Sequence, residues 1–142
     1  MKDLFTLKVF NKQYPALTKD SLTIDVDGIK IKTLAQCYAL FAKKLQFPAY
    51  FDDNLDAFYD TLIDLAWLRE QPVNIIITNF DDWLEQEEDD LKIRFLFTLT
   101  DAGETWLNTK QSEAFFNLYV QQSNTLNEIL ETCELNYISI NN

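Results

Sequence analysis

The chain has 142 residues, enough for one domain with a real core, and 47% hydrophobic with 14% aromatic content excludes an intrinsically disordered chain. Its 23 acidic and 12 basic residues give a formal net charge of −11, and a surface of that sign repels nucleic-acid phosphate and anionic membranes while attracting basic partners. It contains no histidine, and Cys37 and Cys133 stand far apart outside any CxxC or Cys/His pattern, so histidine acid–base chemistry and typical zinc sites are excluded.

Residues 4–10 alternate polar and apolar side chains, the pattern of a strand or an extended arm. Residues 11–20 contain Pro15 and read as a loop. Leu22, Ile24 and Val26 alternate before Asp27-Gly28, with Ile29 and Ile31 beyond, which marks a strand ended by a turn. Thr33 and Gln36 have capping-box spacing and start a helix: the hydroxyl accepts an amide hydrogen that lacks an intrahelical partner, and the glutamine side chain reaches back. Leu34, Cys37, Phe41 and Leu45 then share one helical face. Pro48 ends the segment, because it biases Phe47 away from helical geometry. Residues 48–53 form a short aromatic and acidic loop. Asn54 is the expected N-cap of a second helix, with Leu55, Phe58, Leu62 and Leu65 on its apolar face.

Residues 74–80 carry Ile75-Ile76-Ile77, a β-branched run suited to a central strand covered on both faces. Residues 81–90 hold seven carboxylates and no basic residue; Asp81 or Asp82 can cap a helix here, and the run reads as a solvated helix face or a loop. Residues 92–100 fit two periods. Ile93, Phe95, Phe97 and Leu99 alternate as in a strand, whereas Phe95, Leu99, Ala102 and Trp106 match a helix. Phe116, Leu118 and Val120 alternate as a strand, Leu126, Ile129 and Leu130 mark a short helix over 125–133, and 137–140 suit one more edge strand. This order requires crossovers, hence an α/β fold with helices on a parallel sheet. Cys37, Trp67, Trp83 and Trp106 are expected in or near the core, and Cys133 is expected to be inert. Two reduced thiols fit a cytoplasmic protein. The start of the sequence lacks the apolar segment of a signal peptide, and no apolar stretch is long enough to span a membrane.

The most informative segment is the second helix. Asp53, Asp56, Asp60 and Asp64 are spaced by three, four and four residues, so they form one stripe away from the apolar face, and no Lys or Arg occurs over residues 45–68. Like charges at i,i+4 destabilise a helix by roughly 0.2–0.5 kcal/mol per pair. The helix dipole offsets this near the start, for Asp53 and Asp56, but works against Asp64. A solvated helix face accounts for such a stripe; so does a surface awaiting a cation that arrives with a partner. The neighbouring Tyr50, Phe51 and Tyr59 add the apolar area that an interface centre uses.

The run Leu45-Gln46-Phe47-Pro48-Ala49-Tyr50-Phe51-Asp52-Asp53-Asn54-Leu55-Asp56-Ala57-Phe58-Tyr59-Asp60 resembles the signature of barstar and its relatives, intracellular inhibitors of barnase-type ribonucleases. The similarity is strong over about residues 22–65 and weaker on to Val120. The resemblance implies a small three-stranded parallel sheet flanked by helices, with a helix rather than a strand over 92–100. It implies one domain over 1–142, with a core of about 22–121 and extensions at 1–21 and 122–142. It also implies an inhibitor with no catalytic chemistry and no cofactor, acting in the cytoplasm, as a monomer by preference, on a basic ribonuclease. By position, Asp60 corresponds to the aspartate that takes the phosphate site and Asp56 to a second acidic contact. Tyr50 corresponds to a tyrosine that packs on the nuclease, with Phe51 beside it. Asn54 sits at the shared helix start, and Asp101 aligns loosely with a further acidic contact. Tyr59 stands where the family usually has Trp, and Asp52 where it usually has Gly. The competing readings are a protein of the same fold directed at another basic protein or toxin, and an enzyme using paired carboxylates. The latter is poorly served, because Asp56 and Asp60 lie on adjacent turns of one helix and point the same way; no EF-hand spacing is present either.

Overall fold

The computed structural model describes residues 5–17, 19–47, 54–64, 71–110 and 116–140. In chain order the elements are β1 (Leu7–Phe10), β2 (Leu22–Asp27), α1 (Leu34–Leu45), α2 (Leu55–Ile63), β3 (Val73–Thr78), α3 (Asp90–Lys110), β4 (Phe116–Gln121), α4 (Asn124–Thr132) and β5 (Tyr137–Ser139).

The strands form one parallel sheet of five, in the order β2-β3-β4-β1-β5. The expected three-stranded sheet is therefore corrected. β2, β3 and β4 are those three strands, and the two extensions each add one beyond β4. The register aligns Val26, Ile77, Val120 and Val9 in a single row across four strands. This row and the row containing Ile24, Ile75 and Leu118 face the helices, and Phe41, Phe58, Phe95, Leu99 and Leu126 belong to the same buried core.

The other sheet face carries Asp25, Ile76, Tyr119 and Lys8 in register. Ile76 is fully buried there. The segment from β1 to β2 covers this side, with Pro15 buried and the Tyr14 hydroxyl donating to Asp25. Topology explains this placement. From β2 onwards the chain crosses the sheet in one direction, with its helices on one face. The β1-to-β2 connection travels the opposite way, so the right-handed crossover rule assigns it the opposite face.

Local chemistry sets the element ends. Thr33 closes the expected capping box: its side chain accepts from the Gln36 amide at 3.1 Å, and the Gln36 side chain accepts from the Thr33 amide at 3.1 Å. Gly28 follows β2 because a Cβ there would come within 2.0 Å of the Asn79 carbonyl oxygen, a close approach that glycine alone permits. Residues 92–100 are helical, inside α3. Residues 81–86 form turns rather than the start of a helix, so Asp81 and Asp82 cap none there. Trp83 and Trp106 are buried with Cys37, whereas Trp67 and Leu65 lie outside the described residues.

Candidate functional site: an acidic cleft between two helices

Asn54 starts α2 as expected: it is extended, and its side chain accepts from the Ala57 amide at 2.8 Å. The helix is then fixed in rotation by Phe58. That ring lies 4.9 Å from Phe95, 5.1 Å from Phe41, 5.5 Å from Tyr38 and 6.0 Å from Phe47, centroid to centroid. With Phe58 and Leu62 buried, Asp56 and Asp60 must point outward, and both are exposed. The helix stops at Ile63, which leaves Asp64 as its C-cap rather than as the last member of a helical stripe.

Two hydrogen bonds tie α2 to α3. The hydroxyls of Tyr59 and Thr105 lie 2.6 Å apart. The Trp106 indole N–H donates to the Leu62 carbonyl at 2.9 Å, in the buried layer. Leu62 is in the last turn of α2, where carbonyls lack intrahelical partners, so α3 caps α2 from the side.

Between the helices lies an open cleft of about 550 Å³. Leu55, Asp56, Tyr59 and Asp60 line it from α2, and Thr98, Asp101, Glu104 and Thr105 from α3. Among the described residues that line it, four are carboxylates and none is basic. Asp56 and Asp60 stand one turn apart on α2, as do Asp101 and Glu104 on the facing helix. Asp56 is in the first turn of α2, where the helix dipole favours a negative charge; Asp60 is past it. Ionised carboxylates are acceptors alone. The cleft can therefore receive several cationic donors at once, and it suits guanidinium or ammonium groups.

The structure thus brings together Asp56, Tyr59, Asp60 and Asp101. Asn54 lies at the edge, with its side chain committed to capping. Tyr50 and Phe51, with Asp52 and Asp53, lie outside the described residues. Glu104, Thr98 and Thr105 were not singled out from sequence. The signal that could have found them is the spacing of 98, 101 and 105 on one face of a helix, with 104 beside it.

The second acidic run is used differently. Lys32 pairs with Glu85 at 3.0 Å, Arg94 with Asp90 at 3.3 Å, and the Glu87 carboxylate accepts the Leu34 amide at 2.7 Å, at the start of α1. Burial alone would raise the Asp81 carboxyl. Hydrogen bonds from Thr125 and Ser123, aided by Lys92, outweigh it and hold Asp81 below the ordinary carboxylate range. Glu85 and Glu87 thus fasten the β3–α3 loop to the start of α1 and Asp81 fastens it to α4, while the Asp90–Arg94 pair lies within α3. Among the described residues no group of three or more Cys, Asp and Glu could hold a metal ion, and no helix is long and apolar enough to cross a membrane.

Comparison with known proteins identifies residues 21–121 with the family model described as Barstar (barnase inhibitor). No curated protein matches the sequence. Among solved structures, a chain of Drosophila ORC bound to AT-rich DNA and Cdc6 is similar, with a TM-score of 0.59 and 14% identity over 96% of this chain and 48% of that one. A chain of Drosophila ORC bound to GC-rich DNA and Cdc6 gives 0.59 and 13%, over 96% and 49%. A chain of Drosophila ORC bound to DNA gives 0.57 and 11%, over 96% and 79%. The chain therefore spans about half the length of the first two. At these identities the likeness is one of fold.

Proposed function

The chain belongs to the barstar (barnase inhibitor) family, and from that premise we propose that it is an inhibitor or immunity protein that blocks the active site of a barnase-like ribonuclease with its α2–α3 cleft. The observation that carries this reading is the gathering of Asp56, Asp60, Asp101 and Glu104 on one open cleft, with no basic residue among the described residues that line it.

A ribonuclease surrounds the scissile phosphate with basic side chains. In this reading Asp60 takes the phosphate position and accepts paired bonds from an arginine, with Asp56 as a second contact and Asp101 on the facing helix. The anchoring of α2 by Phe58 and Trp106 supports tight binding, because side chains already held in place lose little freedom on association. The net charge of −11 supports fast encounter with a basic partner. Both cysteines are free, which suits action in the reducing cytoplasm, as an antidote in a toxin–antitoxin pair.

The test is affinity capture with wild type and Asp60→Ala in parallel, followed by a ribonuclease assay of the bound protein. The expected result is a nuclease whose activity the wild type suppresses, with affinity weakened by about 2–5 kcal/mol in Asp60→Ala, mainly through faster dissociation. Unchanged affinity removes Asp60 from the interface. Capture of a basic protein without nuclease activity points to a toxin of another kind on the same cleft.

A further inference from the structure

The acidic cleft absorbs one end of the molecule and leaves the far edge of the sheet unaccounted for. β5 ends the sheet, and Tyr137, Ile138 and Ser139 are all exposed, Tyr137 by 48% and Ile138 by 49%. On its inner side, the Leu7 amide donates to the Asn136 carbonyl at 3.1 Å and the Ile140 amide to the Val9 carbonyl at 2.9 Å. Residues 136 and 140 thus turn their backbone groups toward β1. A strand alternates sides with each residue, so Tyr137 and Ser139 turn theirs outward, and among the described residues no strand lies there.

Sheets blunt such an edge with a charge, a proline, a bulge or a very short strand, and of these devices β5 has only its shortness. Residues 135–142, Leu-Asn-Tyr-Ile-Ser-Ile-Asn-Asn, carry neither charge nor proline, in a chain with net charge −11. We propose that this edge pairs with the same edge of a second copy of the chain. An antiparallel pairing about a two-fold axis through Ile138 sets Tyr137 opposite the partner's Ser139, and Ser139 opposite the partner's Tyr137. Both are residues with outward N–H and C=O groups, so each pair exchanges two hydrogen bonds. Ile138 meets its own counterpart in the close, non-hydrogen-bonded pair, with Cα atoms about 4.5 Å apart.

Charge selects this occupant. A basic protein is drawn to the carboxylates, and a neutral strand offers it nothing further. Two copies of an acidic chain repel each other least where the surface carries least charge, and residues 137–139 are uncharged, with Glu131 and Glu134 the acids nearest to them. The strand is short, so the contact falls below the roughly 1,200–2,000 Å² of a standard interface and the dimer is weak, micromolar or weaker. It departs from the monomer expected from sequence, and it uses none of the cleft residues.

Sedimentation equilibrium tests it. The mean mass of the wild type should rise toward that of a dimer between about 10 µM and about 1 mM. It should rise further as salt goes from about 0.05 to about 0.5 M, because screening relieves the repulsion between copies. Ile138→Lys should remain monomeric. Ser139→Pro should do so too, since it removes an outward donor without touching the β1 ladder. Both should keep the wild-type circular dichroism and urea midpoint, and Asp60→Ala should dimerise like wild type. A wild type that stays monomeric throughout the range, or a folded edge variant that associates as wild type does, overturns the proposal. The salt response is opposite in sign to that of a cleft complex, so the two readings can fail separately.

Discussion

Tyr59 occupies a position where the family usually carries Trp, and the structure gives the change a partner: the Tyr59 and Thr105 hydroxyls lie 2.6 Å apart across the two helices. An indole cannot place an oxygen there. Tyr59→Phe should therefore lower stability by about 0.5–1.5 kcal/mol, the net worth of one hydrogen bond, and a urea midpoint identical to wild type would sink the idea. In a Thr105→Val background the same substitution should cost less, since the bond is already gone. Residue by residue, the site was partly legible. Asp56 and Asp60 were readable because their spacing puts them opposite Phe58 and Leu62, and Tyr59 because it interrupts a recognisable run. Glu104 and Thr105 were not, because their meaning depends on α3 lying against α2, some 45 residues earlier in the chain. The spacing of 98, 101 and 105 marks a polar face of α3, but it does not say which helix that face lies against.

At the scale of elements, what was legible was local. The Thr33 box and the Asn54 cap depend on residues three positions apart, and both form as their sequences imply. Residues 92–100 fit strand and helix periods equally, and it is the burial of Phe95, Leu99, Ala102 and Trp106 along one face of α3 that shows which period the core uses. The sheet was misjudged for the opposite reason. β1 pairs with β4 across more than a hundred residues, Lys8 beside Tyr119, and no local pattern announces such a partner. One residue hints at it. Gly103 stands inside α3, where glycine costs about 0.8–1.0 kcal/mol relative to alanine. A Cβ there would come within 2.5 Å of the Phe5 ring, which also stacks edge-on to Phe116 at 5.9 Å. The notch in α3 seats the arm that leads into β1. Gly103→Ala should thus be destabilising in the wild type, with faster amide exchange at Leu7, yet stabilising by about 1 kcal/mol when Phe5 is already Ala. A stabilising effect in both backgrounds would mean that the ring does not depend on the notch.

For the whole molecule, pH reads out which ionisable groups the fold holds in an altered state. Burial pushes the Cys37 thiol from 9.0 up to about 12, with the adjacent Trp83 indole pulling the other way. Tyr14 is also raised, by burial and then by its bond to Asp25, and Tyr119 is raised by burial. All three are acids whose folded form keeps its proton longer than the unfolded chain does. Between about 9 and 12 the unfolded state holds fewer protons on Cys37, so stability falls as pH rises through that window. Asp81 has the reverse sign. Its carboxyl is lowered in the fold, so its contribution is present above the ordinary carboxylate range and is lost as pH falls below it. Protonation of the other carboxylates relieves the self-repulsion of a −11 chain as pH falls toward the isoelectric point of about 4.3, and below it the 12 basic residues bring repulsion of the opposite sign. The expected thermal profile is therefore lopsided, nearly flat down to the isoelectric point and declining only below it on the acid side, with a steep alkaline decline beginning near pH 9. Cys37→Ala tests the assignment. It should lower the midpoint at every pH, because it leaves a small void in the core, but it should also flatten the alkaline limb relative to wild type. An alkaline limb of unchanged slope in that variant would assign the decline to Tyr14 and Tyr119 and leave the buried thiol with no part in it.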